Sequence, residues 1–85
     1  MTPTLLLRVQ TLLFGEQGGV AMAEALGVSY RTYQRWRAGQ NPMPEGLPIE
    51  LETLLGARIA EMATLAAEMR AEALKHAPLG QETAS

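Results

Sequence analysis

Leu5, Leu6, Val9, Leu12 and Leu13 recur at the three- and four-residue spacing of one helical face, and Leu7 and Phe14 widen that stripe. Thr2 is an N-cap residue followed by Pro3 at the first helical position, and Gly15 ends the run, so a first helix is predicted from Pro3 to Phe14. Gln17-Gly18-Gly19 reads as a short connection. A second helix follows from about Val20 to Leu26, a stretch with Ala21, Ala23 and Ala25 and no breaker. Gly27 ends it and Val28 is the turn residue. Ser29 then caps a third helix, Tyr30 to Arg37, which stops at Ala38-Gly39. Gln40-Asn41-Pro42-Met43-Pro44 is a loop, because proline and the residue before it resist helix. From about Pro48 a long helical pattern runs to Lys75 or His76, where Ala77-Pro78-Leu79-Gly80 is expected to stop it and leave a frayed tail to Ser85. The chain shows no strand pattern and no internal repeat, so the expected class is all-α.

Composition narrows what such a chain can do. At 85 residues it holds one small domain and an extra helix, and a core this small gains from a second subunit. There is no Cys and no Asp, and His76 is the single histidine. Disulfides, thiolate zinc sites and Ser/His/Asp constellations therefore lack their parts, so neither an enzyme, a metal site nor a cofactor is expected. His76 lies in the last helical turn, where its charge suits the helix dipole. No apolar run approaches the ~20 residues that span a bilayer, and Met1-Thr2-Pro3-Thr4 lacks the basic start of a signal peptide. A cytoplasmic protein is expected.

The formal charge of −2 conceals an uneven distribution. Residues 1–44 carry four Arg against two Glu, whereas residues 45–85 carry two Arg and one Lys against seven Glu. Between Ala25 and Pro44 there is no acid, and Arg31, Arg35 and Arg37 fall within seven residues. A local basic face is what a nucleic-acid phosphate meets, and the acidic remainder weakens non-specific binding.

The segment from Gly19 to Ala38 meets the demands of two short helices crossing through a tight turn. Ala23 is small where the second helix must pass, and Gly27, four residues on, tolerates positive φ. Met22, Leu26 and Val28 flank the crossing, and Tyr33 and Trp36 supply an inward stripe on the second helix. This pattern resembles the helix-turn-helix of phage and bacterial repressors. Leu26-Gly27-Val28-Ser29, Arg31-Thr32, Arg35-Trp36 and Gly39, with Pro42, Pro44 and Gly46 behind them, are similar to small Cro/repressor-like and Xre-like regulators of phages and mobile elements, among them anti-CRISPR-associated autorepressors. The resemblance covers roughly Val9 to Leu55. It implies a lambda-repressor-like DNA-binding domain, a double-stranded operator with an inverted repeat as partner, and the third helix as the reading element.

In that docking the start of the third helix enters the major groove. With Tyr33 and Trp36 inward, Tyr30, Arg31, Gln34 and Arg35 point outward. Arg pairs bidentately with guanine and Gln with adenine, so Arg31, Gln34 and Arg35 are the expected base readers; a solvated polar face is the plainer alternative. Arg37, Thr32 and Ser29 are expected at phosphates, which position the helix without reading sequence. Tyr30 suits a thymine methyl or a phosphate. Tyr33 and Trp36 fit core rather than base stacking, and the methionines at 22, 43, 62 and 69 are ordinary filler.

Within the long helix, Leu55, Ile59, Met62, Ala66, Met69 and Ala73 follow alternating steps of four and three, a narrow heptad seam. The expected organisation is a DNA-binding domain over 1–56, a C-terminal dimerisation helix over 57–77 and a flexible tail over 78–85. A helix folding back on the first helix is the alternative to the homodimer, and Gly56 marks a bend, a break or a close helix contact. The expected function is a dimeric repressor or autoregulator. The competing class is a protein-binding module, such as an antitoxin or a small acidic inhibitor.

Overall fold

The computed structural model describes the backbone of residues 1–84 and the side chains of residues 1–76. It contains four helices, α1 (Pro3–Phe14), α2 (Gly19–Leu26), α3 (Tyr30–Arg37) and α4 (Leu47–Ala84), and no strand among the described residues. The chain divides into two compact units, Met1–Leu55 and Gly56–Ser85. The protein is all-α.

Two helix starts in the first unit, those of α1 and α3, follow from a local signal. Thr2 is extended, and its hydroxyl accepts the Leu5 N–H at 3.1 Å, while Pro3 opens α1 at the position where no N–H is needed. Ser29 is extended too, and its Oγ accepts the Thr32 N–H at 3.1 Å at the start of α3. Between α2 and α3 the chain turns in three residues. Gly27 adopts φ 72°, its N–H bonds to the Glu24 carbonyl, and the Val28 N–H bonds to the Ala23 carbonyl at 3.0 Å. That pair of bonds satisfies carbonyls left over at the end of α2, and a side chain at Gly27 would strain the left-handed backbone it requires.

The core of this unit is built from Leu6 and Leu13 of α1, Met22, Ala23 and Leu26 of α2, Tyr33 and Trp36 of α3, and Leu47 and Leu51 from the first turns of α4. Val9, Phe14, Val28, Met43, Leu54 and Leu55 pack at its edge. Ala23 and Gly27 occupy the positions the sequence requires of them. The α1 stripe is narrower than its leucine content suggests. Leu5, Leu7 and Leu12 are exposed, and the position between Leu6 and Leu13 on the buried face is taken by Gln10, which is fully buried.

The second unit is one helix. α4 continues through Gly56 without a break, and a Cβ there would meet nothing within 4 Å, so no close helix contact explains this glycine. The span of α4 also includes Pro78 and Gly80, beyond the end expected near His76; the flexible tail expected over 78–85 lies outside the fully described residues. Leu55, read above as the first seam residue, packs at the edge of the first unit's core.

Trp36 is 7% exposed and touches this core from α3. Trp36→Ala is expected to cost about 3–5 kcal/mol of unfolding free energy by leaving a cavity at the centre of a small domain. Urea titration followed by far-UV circular dichroism checks it; a loss under ~1 kcal/mol would place this indole outside the core.

Candidate nucleic-acid interface

α3 is amphipathic in an unusual sense: one side is aromatic and buried, the other cationic. Tyr33 is fully buried and Trp36 nearly so, while Tyr30, Arg31, Gln34 and Arg35 are exposed. Arg31 and Arg35 are one helical turn apart, so their guanidinium groups share a stripe. No acidic residue lies on α3, and Arg35 and Arg37 in its last turn face the negative end of the helix dipole.

The exposed side of α3 forms one wall of an open cleft of about 710 Å³. Arg31, Gln34, Arg35 and Ala38 line that wall with Tyr30 and Arg37, Gln40 extends it, and Pro3, Thr4 and Leu7 of α1 form the other side. The cleft thus brings together five of the seven residues expected at DNA. Ser29 and Thr32 are not among its lining residues. Their hydroxyls bond to each other at 3.0 Å, and Ser29 Oγ also holds the helix cap.

A buried polar cluster sets the depth and rotation of α3. The Tyr33 hydroxyl donates to Gln10 Oε1 at 2.7 Å, and Gln10 Nε2 donates to the carbonyls of Gly15 and Glu16 at 3.2 and 3.1 Å. Arg37 Nη1 reaches the same Gln10 oxygen at 3.4 Å, and the Arg37 guanidinium carbon lies 5.9 Å from the Tyr33 ring centre. No buried side-chain polar atom is left without a partner among the described residues. Arg37 is therefore half-buried and tied to the core, while it still borders the cleft. Burial pushes the Tyr33 phenol above the usual tyrosine value, with the Arg37 charge acting in the opposite direction.

Gly19 places the remaining aromatic. A Cβ at this position would meet Tyr30 Cε1 at 2.9 Å and Arg37 Nη1 at 3.5 Å, so the Tyr30 ring lies against the first turn of α2 only because Gly19 has no side chain. By sequence Gly19 reads as part of a connection, and Gln10 does not stand out. The available signal was a lone amide at the stripe position four after Leu6 and three before Leu13.

Among the described residues no group of three or more His, Cys, Asp or Glu is placed to hold a metal ion, and no helix is long and apolar enough to cross a membrane. Comparison with protein-family models, curated proteins and solved structures finds no match.

Two outcomes follow from the cluster. Tyr33→Phe leaves Gln10 short of a donor in a buried place and is expected to cost about 1–3 kcal/mol. Because the fold favours the neutral phenol, its contribution is complete below the unfolded tyrosine value near pH 10 and is lost as pH rises through the higher folded value. Chemical denaturation between pH 8 and about pH 11.5 should show wild-type stability falling at the alkaline end, with a shallower fall in Tyr33→Phe. Equal slopes would remove Tyr33 as the group responsible.

Proposed function

We propose that this chain is a helix-turn-helix transcriptional regulator that binds a specific double-stranded DNA site with α3 in the major groove. The observation that carries the reading is the cationic wall of the cleft. Arg31, Gln34 and Arg35 project from a helix whose opposite side is locked into the core, and no acid lies near them in the chain from Ala25 to Pro44. Rigid presentation matters because base readout by bidentate Arg and Gln requires fixed geometry. Gly27, the Ser29 cap and the small Ala23 support the same reading, since they produce the tight turn such proteins use.

Arg31, Gln34 and Arg35 are the proposed base readers, and Tyr30, Thr32 and Ser29 flank them at the backbone. Arg37 takes a mixed part. Its guanidinium stabilises the Gln10–Tyr33 cluster from one side and offers charge to a phosphate from the other. The protein acts as a homodimeric repressor or autoregulator on an inverted repeat, paired through α4. Tethering two half-site readers raises affinity through effective concentration without any new contact.

Arg31→Ala and Arg35→Ala are each expected to weaken binding to the selected site by about 1–3 kcal/mol and to relax preference at one base pair, leaving the melting temperature unchanged. Arg37→Ala is expected to weaken all sequences alike and also to lower the melting temperature. Selection from a random duplex library, then titration at two salt concentrations beside a thermal melt, reads all three. Full binding by both Arg31→Ala and Arg35→Ala would overturn the assignment of α3 as the reading helix.

A further inference from the structure

Residues 56–76 form a single helix, and a single helix cannot bury its own apolar face. Ile59, Met62, Leu65 and Met69 are 66, 57, 57 and 55% exposed. Ile59, Met62, Ala66, Met69 and Ala73 occupy the alternating seam of a two-helix coil. Residue size along that seam is lopsided. Bulk sits at the Ile59 and Met62 end, and two of the three later positions are alanine.

That asymmetry distinguishes the two ways a second copy could lie on this face. A parallel, in-register pair would set Ala66 on Ala66 and Ala73 on Ala73, two layers with nothing larger than a methyl group on either side. An antiparallel pair interleaves the sizes. Ile59 then faces Met69 of the second copy and Met62 faces Ala66, each contact occurring twice by symmetry, so that bulk fills the space beside alanine. Leu65, flanking the seam, meets its own copy at the twofold axis.

Charge selects the same polarity. Arg58 and Glu72 both flank the seam on the Leu65 side, seven residues before and after that leucine. In the antiparallel pair Arg58 of each copy lies beside Glu72 of the other. In the parallel pair Arg58 lies beside Ala63 and no opposite charges meet. Within one chain Arg58 Nε is 3.5 Å from Glu61, and Lys75 Nζ is 3.0 Å from Glu72. Exposed pairs add little net stability, yet they discriminate between two otherwise similar packings.

We propose that α4 pairs antiparallel with a second copy of itself, with Ile59 against Met69, Met62 against Ala66, and Arg58 against Glu72 of the other chain. This rests on the dimer reading above and adds its polarity and register.

The absence of cysteine from the chain gives a clean test. Ile59→Cys and Met69→Cys chains, distinguished by mass, are mixed and mildly oxidised, with light scattering confirming the mass of the unmodified protein. The expected product is the mixed disulfide, because positions 59 and 69 face each other across the antiparallel seam while like positions are about 15 Å apart along it. Self-disulfides of each chain, alone or alongside the mixed product, would overturn the polarity while leaving the dimer standing. A monomeric mass with no cross-link would overturn the dimer as well. Arg58→Glu is a second readout: it should raise the dimer dissociation constant about tenfold, and Arg58→Glu with Glu72→Arg should restore it. An unchanged constant for Arg58→Glu would remove the charge pair.

Discussion

The hydrogen bond from Tyr33 to Gln10 is the constraint on which the arrangement of the first unit depends. It ties α3 to the middle of α1 through two side chains that are both fully buried. An amide in an apolar core is tolerated only when each of its polar atoms finds a partner, and Gln10 meets that condition by bonding to α3 on one side and to the loop after α1 on the other. The rotation of α3 follows. With Tyr33 directed inward, Arg31 and Arg35 come to lie about 160° away on either side of the helix, which is the far side from the core. The outward direction of the cationic stripe is thus the reverse face of a core hydrogen bond.

The local charge pattern is consistent with that division. The first unit carries its arginines on α3 and on the outer side of α1, whereas most of the carboxylates follow Pro44. Local fields fall off within about a Debye length of ~8 Å at physiological salt. A cleft lined by three arginines is therefore locally positive even though the chain as a whole is slightly acidic. Arg37 shows how closely structure and charge are interwoven here, since the same guanidinium borders the cleft and completes the buried cluster.

Much of the fold was legible in the chain because its signals are local. The caps at Thr2 and Ser29, the stop at Gly27, the small Ala23 and the inward pair Tyr33 and Trp36 each work through neighbours a few residues away. Less legible were the features that depend on tertiary neighbours. Leu5 and Leu12 read as core by type, but α1 turns Leu6, Gln10 and Leu13 inward instead and leaves those two exposed. Gln10 has only its place on the α1 stripe as a local sign of burial, because its partners come from Tyr33 and from the carbonyls of Gly15 and Glu16. Gly19 reads as a loop glycine, and only the approach of the Tyr30 ring reveals why a side chain cannot sit there. Arg37 reads as a surface cation until Gln10 is known to lie beneath it. For the outward arginines the helix period sufficed, since burying Tyr33 and Trp36 leaves them a single direction.

The second unit has a different thermodynamic character from the first, and its exposure pattern determines it. Between Gly56 and His76 no side chain is buried, so this stretch owes its helicity to alanine-rich propensity and to exposed pairs such as Glu72 with Lys75. Such a helix gains its remaining order only from whatever covers Ile59, Met62 and Met69. If a second copy covers them, ordering and association become one equilibrium, and the helical content of this stretch becomes a function of how much protein the cell contains. Abundance is then read by the C-terminal helix itself.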